Sequence, residues 1–477
     1  MTEQEWKELT RTNTAAVIAP AGHGKTEMLA EIVERSSGKI LLLTHTNAGV
    51  DAIKKRMNKK SIPSSRYNVE TIASFCIKWC NSYCSTSNID TSLSPLVKEQ
   101  ANAYYAQFYS GAITLFSKSW IGVVLKATYS RVIVDEYQDC TLEQHNIMLQ
   151  ICRWLPLIAL GDPMQGIFSF VGPLVDWDNF EYPIVDIKTY PWRWEKTNPQ
   201  LGSYLSELRE SLLPYSNCSK SNIKIPTNQD VCIISPINFN MYKLLPQLKD
   251  YTSVIYVTKW PQRQMDICSQ MSGIFQYDEK QECPELFEYS KHFDGLKGSK
   301  LALVALHFVK ICSTGVSGEL KAYIERLKKD DLDFSRIQKH TDIGAMILSV
   351  ATTSDYNSIY NLIYNFGEKT EFKIYRKELF YEMLRSIKFA IEHRSTIFEG
   401  ATHIRKDVHL QKRYSQFKFL SSRTVLSKGL EFDCVIIDTT EKLSVKEFYV
   451  AMTRAKKRIY IISSTDEISF EDKYCKK

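Results

Sequence analysis

Eight residues near the N-terminus, Ala19-Pro20-Ala21-Gly22-His23-Gly24-Lys25-Thr26, have the types and order needed to hold a triphosphate. A tight loop running into a helix aims backbone N–H groups and the positive end of the helix dipole at one point. Ala21, Gly22, His23 and Gly24 would form the cradle, with the glycines letting the backbone close on phosphate oxygens. Lys25 would reach the β- and γ-phosphates of ATP, and Thr26 would offer its hydroxyl to Mg²⁺. The first position of the G-x-x-x-x-G-K-[ST] pattern is Ala19 rather than glycine. An ordinary glycine-rich strand-to-helix turn is the competing reading.

Asp135-Glu136, behind the apolar run Val132-Ile133-Val134, is the natural partner of such a loop. Asp135 could hold Mg²⁺, and Glu136 could polarise the water that attacks the γ-phosphate. Isolated adjacent carboxylates are usually just solvated, but a G-K-T loop upstream favours the catalytic reading. Gln165 follows a further strand and could sense the γ-phosphate, while Phe168 and Phe170 are either core aromatics or stacking platforms for unpaired bases. Phosphoryl transfer also calls for positive charge from across a cleft, for which Arg193 and Arg454 are candidates.

The elements that must position these residues alternate. Strands are expected at 15–19, 40–43, 131–134 and 154–160, with helices at 27–34 and 48–57. Such alternation predicts an α/β fold with a parallel sheet and ligands at the strand C-terminal ends. A second α/β set begins near 190, with apolar runs at 231–234, 254–257, 434–437 and 458–462. The expected division is a first core from 1–80 and 120–189, a small helical insertion at 81–119, a second core from 190–275 and 417–477, and a helical insertion at 276–416.

The 477 residues, 44% hydrophobic and 24% charged, suit a globular chain of several domains. A formal net charge of +7 permits nucleic-acid binding without requiring it. Basic runs such as Lys54-Lys55-Arg56 and Lys456-Lys457-Arg458 read as solvated helix faces. No apolar run reaches the roughly 20 residues of a membrane span, and 1–9 is too polar for a signal peptide, so a cytoplasmic protein without a membrane partner is expected. Cys76, Cys80 and Cys84 share a spacing of four but lack a fourth ligand, and read as reduced, mostly core thiols.

Taken in order, these motifs resemble those of superfamily-one DNA helicases of the UvrD/PcrA/Rep type. The phosphate loop matches motif I, Leu43-Thr44-His45-Thr46-Asn47-Ala48 resembles motif Ia, and Asp135-Glu136-Tyr137-Gln138-Asp139 resembles motif II. The run from Gly161 to Phe170 resembles motif III, and Tyr190-Pro191-Trp192-Arg193 resembles motif IV. Ser427-Lys428-Gly429-Leu430-Glu431-Phe432-Asp433 resembles motif V, and the run from Tyr449 to Lys456 resembles motif VI. The resemblance implies two RecA-like cores clamping ATP, with single-stranded or partly duplex DNA across their top and 3′-to-5′ movement. It implies that Gln4 reads adenine, Trp192 stacks on it, Glu431 contacts the ribose, Arg193 contacts the γ-phosphate and Arg454 is an arginine finger. It further implies that Phe75, Phe168 and Phe170 stack on bases and that Thr46 and Asn47 line the strand path.

Three positions depart from the pattern: Ala73 and Val425 replace histidines, and Val171 replaces an arginine. The ATP motifs are intact while the DNA motifs are thinned. With its short insertions the chain also resembles the helicase-like subunit of the Gabija anti-phage system, which implies an OLD-type nuclease with a TOPRIM domain as partner. Two readings therefore stand: a DNA-driven motor, and a regulatory ATPase subunit that licenses a partner nuclease.

Overall fold

In a computed structural model, residues 3–475 are described apart from 91, 94–97, 178–179, 188, 280–282 and 409–416, with the backbone only for 4, 98–102 and 406–408. The first sheet holds β1 (Thr14–Ile18), β2 (Ile40–Thr44), β3 (Tyr67–Thr71), β4 (Arg131–Val134) and β5 (Leu157–Gly161). Their order is β1-β5-β4-β2-β3 and every pairing is parallel. Burial on both faces explains why β2, β4 and β5 read as continuous apolar runs. The edge strand β3 alternates instead, with Asn68 and Glu70 between its buried residues.

Side-chain alternation sends Leu41, Leu43, Val132 and Val134 to one face of this sheet and Leu42 and Ile133 to the other. The helices Lys25–Arg35 and Asn47–Lys59 cover the second face. Ile72–Ser82, Lys98–Phe116, Ser119–Thr128 and Leu142–Cys152 cover the first. The small helical insertion expected at 81–119 contains the helices Cys84–Ser87 and Lys98–Phe116, and Phe108, Ala112, Leu115 and Phe116 belong to the same hydrophobic cluster as Leu41 and Val132. Through these residues the segment packs as a cover on the first core.

The second sheet contains β7 (Val231–Ile234), β8 (Val254–Thr258), β9 (Gln276–Tyr277), β10 (Phe419–Arg423), β11 (Phe432–Asp438) and β12 (Ala455–Ile462), in the order β7-β12-β11-β8-β10-β9. All these pairings are parallel. A separate antiparallel pair joins β6 (Lys220–Lys224) to β13 (Glu467–Glu471). Because β9 pairs with β10, the helical insertion starts after 277 rather than at 276. Its helices, from Pro284–Gly295 to Ile397–Val408, close around one cluster whose buried members run from Cys283 to Ala401. Lys456, Lys457 and Arg458 lie on β12 rather than on a helix, and the two lysines pair with the buried Asp433.

The two cores are packed against each other. Ala21 and Met164 of the first core are buried in a cluster with Trp194, Leu205 and Tyr449 of the second.

Candidate active site

The phosphate loop leaves β1 and enters the helix Lys25–Arg35 through two left-handed residues, Gly22 at φ 74° and Gly24 at φ 85°. These glycines are required twice over. A Cβ at Gly22 would lie 2.5 Å from the Trp194 ring, and one at Gly24 would lie 3.2 Å from Trp192. The loop is thus seated directly on the Trp192–Glu195 turn, and Arg193 N–H donates to the Gly22 carbonyl at 3.1 Å. From the other side the Tyr449 hydroxyl accepts from Ala21 N–H at 3.3 Å. His23 is buried, with Nδ1 2.9 Å from the Ala21 carbonyl, and burial lowers its pKa. Thr26 follows Lys25 in the first helical turn.

Lys25 is buried and its ammonium lies 3.1 Å from Glu136 Oε1, yet it makes no hydrogen bond of good geometry. A buried ammonium in that condition fits a loop built for phosphate oxygens. Asp135 is buried at the end of β4, and burial together with the neighbouring Glu136 charge raises its pKa. For Glu136 the charges of Lys25 and Lys428 outweigh burial and hold the carboxylate ionised. A divalent cation beside Asp135 would offset the cost of that buried carboxylate, so the residues fit Mg²⁺ held by Asp135 and Thr26. Glu136 itself sits at φ 54°, a left-handed conformation rare for a glutamate and stored beside the reacting group.

Gln165 connects the cores. Its Nε2 donates to Asp162 Oδ2 at 3.1 Å, and its Oε1 accepts from Arg454 Nη2 at 3.5 Å. Arg454 is buried, donating also to the Val450 carbonyl at 2.9 Å. Burial and the nearby Arg193 depress its pKa to about 9, which still leaves it charged at neutral pH. Arg193 binds Glu431 Oε1 through Nε at 3.0 Å and through Nη2 at 2.9 Å, and the Thr453 carbonyl through Nη1 at 2.6 Å. Glu431 is therefore engaged by an arginine here. Trp192 is 57% exposed beside the loop, its ring edge-on to Tyr190 with centroids 4.9 Å apart.

Thr46 and Asn47 are exposed at the C-terminal end of β2, where the Thr46 hydroxyl caps the following helix by accepting from Gly49 N–H at 3.0 Å. Phe168 and Phe170 follow β5 with ring centroids 5.8 Å apart, Phe170 exposed and Phe168 half-buried. Phe75 corrects the expected stacking set. It is fully buried against Phe116, with centroids 5.5 Å apart, and has no face to offer a base. The side chain of Gln4 lies outside the described residues.

Two participants were not singled out from the sequence. Lys428 donates to Asp139 Oδ2 at 2.5 Å and to the Gln165 carbonyl at 2.6 Å, and sits 5.1 Å from the Phe168 ring centre. Its place in the Ser427-Lys428-Gly429 stretch was the available signal. Arg209, on the helix Pro199–Leu212, grips the fully buried Asp162 and had no signal at all.

Residues 3–171 match the family described as an AAA domain, and residues 425–462 match the UvrD-like helicase C-terminal domain. The second of these models is of a UvrD-like helicase, and it lies near the other end of the chain from the first. The two matches meet the cleft from opposite sides: the first carries the phosphate loop, Asp135, Glu136 and Gln165, and the second carries Lys428, Glu431 and Arg454. No curated protein is significantly similar to this chain. Among solved structures it is similar to arterivirus nonstructural protein 10 (helicase) in complex with DNA, at 11% identity and a TM-score of 0.34, over 96% of this chain and 62% of that one. It is also similar to PRRSV helicase, at 10% identity and a TM-score of 0.34, over 97% of this chain and 54% of that one. The chain thus spans roughly three fifths or less of the length of these structures. Among the described residues no single helix is long and apolar enough to cross a membrane.

Proposed function

We propose that the chain is an ATP-dependent DNA translocase and helicase that moves 3′ to 5′ on single-stranded DNA. The observation that carries this reading is the buried, hydrogen-bond-poor Lys25 ammonium beside Asp135 and Glu136, in a cleft to which the second core brings Arg193 and Arg454. The loop amides and Lys25 bind the triphosphate, with Trp192 placed to stack on the base. Glu136, kept ionised, holds a water and receives its proton at the carboxylate. Arg193 and Arg454 offset charge on the transferring phosphoryl group, and Gln165 reports its presence to Asp162 and Arg454. Bound Mg²⁺ would supply further neutralisation of phosphate oxygens. Because these groups come from two cores, hydrolysis changes how tightly the cores hold each other, which is how a chemical step becomes movement. Thr46, Asn47, Phe168 and Phe170 share the strand-end edge of the first sheet and would carry the DNA strand, without Phe75.

The test is steady-state ATP hydrolysis by the purified chain, with and without single-stranded DNA, followed by unwinding of duplexes with 3′ or 5′ tails. Strong stimulation by DNA and unwinding from the 3′ tail alone support the motor. A second reading gains from the burial of Phe75, which leaves fewer rings for bases: a regulatory subunit in anti-phage defence that licenses an OLD-type TOPRIM nuclease. Hydrolysis indifferent to DNA but altered by such a nuclease would favour it.

A further inference from the structure

We infer that Arg209 is the positioning residue through which the second core sets the orientation of Gln165 and Arg454. The inference rests on the ATPase reading above and adds a residue that none of the motifs contains.

Asp162 is fully buried at the mouth of β5, and a buried carboxylate must be paired to be tolerated. Its cation comes from the other core. Arg209 Nη2 and Nε approach Asp162 Oδ1 at 2.9 and 3.4 Å, and Arg209 is itself only 7% exposed. Nη1 is held by Glu210 at 2.9 Å, which fixes the plane of the guanidinium. The carboxylate then fixes everything downstream of it. Oδ1 also accepts from Met164 N–H at 3.2 Å, setting the Pro163–Gln165 turn. Oδ2 accepts from the Gln165 amide, whose oxygen in turn receives Arg454. Gln138 closes the far side, its Oε1 accepting from Asp162 N–H at 2.9 Å.

The result is an unbroken polar chain, Arg209–Asp162–Gln165–Arg454, that leaves the second core, passes through the first and returns to the second. Arg209 lies on the helix Pro199–Leu212 and Arg454 just past the end of Val445–Met452, and these helices share a cluster through Leu205 and Tyr449. The side-chain bonds of Arg209 go to Asp162 and Glu210, neither of them in the phosphate loop, so its effect should fall on the transition state through Gln165 and Arg454 rather than on ATP capture. A fork-shaped grip of this kind depends on the guanidinium, which lysine does not reproduce.

The test uses Arg209→Lys in the full chain, which keeps the buried charge and so the fold. Amide hydrogen exchange is read at 162–166 and at 19–26 in the absence of nucleotide. Exchange at 162–166 should rise about tenfold with 19–26 unchanged, since the turn loses its fixed carboxylate. Kinetically, kcat should fall about tenfold while KM for ATP stays within about twofold, and in a Gln165→Ala background Arg209→Lys should cost less than about twofold more. Unchanged exchange at 162–166, or a kcat loss that multiplies onto that of Gln165→Ala, overturns the inference. A wild-type chain without ATPase activity would sink the proposed function instead, leaving the exchange result to decide this point alone.

Discussion

At the scale of single residues, the cleft separates two carboxylates that are neighbours in sequence. Glu136 is kept ionised by Lys25 and Lys428, whereas burial and Glu136 itself make Asp135 harder to ionise. On the proposed function, that division suits Glu136 to water activation and leaves Asp135 to be completed by a cation. Glu136→Gln preserves the shape and the left-handed backbone problem but removes the proton acceptor. It should lower kcat by about 10²- to 10⁴-fold with nucleotide affinity nearly intact, as read by steady-state hydrolysis beside binding of a fluorescent ATP analogue. A loss of binding equal to the loss of kcat would show that Glu136 acts by holding Lys25. Gly22→Ala should have the opposite signature. With φ at 74° and Trp194 2.5 Å from the new methyl, the loop must move off the second core. Analogue affinity should fall at least about tenfold, or ~1.4 kcal/mol, and titration of the variant measures it.

At the scale of elements, motif V and the start of β12 are tied by one buried carboxylate. Asp433 accepts from Thr252 at 2.8 Å and pairs with Lys456 at 3.3 Å and Lys457 at 3.0 Å. Burial opposes ionisation, but these partners overcome it and hold its pKa at about 2, below the ordinary 3.8. A folded-state pKa depressed in this way adds stability that is present above the unfolded value and lost as pH falls through the folded one. Asp433→Asn should therefore cost about 1–2 kcal/mol in urea unfolding at neutral pH, and the gap from wild type should close as pH falls from about 4 toward about 2. A pH-independent gap would mean that packing rather than charge is lost.

The same elements show what could be read from sequence. Strands buried on both faces, such as β2, β4, β8 and β11, announce themselves as apolar runs of the right length. β3 and β10 do not. Asn68 and Glu70 interrupt the first, and Ser421 and Ser422, buried through bonds to Gln264 and Asp278, interrupt the second. The phosphate loop and the carboxylate pair were legible because their chemistry depends on local spacing. Phe75 was misjudged because a motif position does not say which way a ring points. Arg209 and Lys428 act on partners 47 and 289 residues away, and nothing local marks such a pairing.

At the scale of the whole molecule, the two cores share a buried cluster, whereas the insertion's main cluster, among the described residues, runs from Cys283 to Ala401, with Tyr375 buried instead among the second core's residues. Ligand that binds the cleft should therefore stabilise the cores as one unit and leave the insertion alone. In calorimetry, a non-hydrolysable ATP analogue at about 100 times its Kd should add about 2.7 kcal/mol to the core transition while a second transition stays fixed. One transition shifting as a whole would mean that the insertion is energetically continuous with the second core.

The strand order of the second sheet also bears on how the protein is made. β7 at Val231–Ile234 finds its neighbour in β12, at Ile459–Ile462, and β8 waits for β10 and β11 beyond the entire helical insertion. The first sheet is complete once β5 has emerged from the ribosome, but Arg193 and Arg209 then sit on chain that has no sheet to settle on. Throughout the synthesis of the insertion the nascent protein carries a finished phosphate loop and no partner core. On the proposed function, hydrolytic competence should arrive abruptly, with translation of β12, so that a chain interrupted anywhere in the insertion should be born without the arginines in place and consume no ATP.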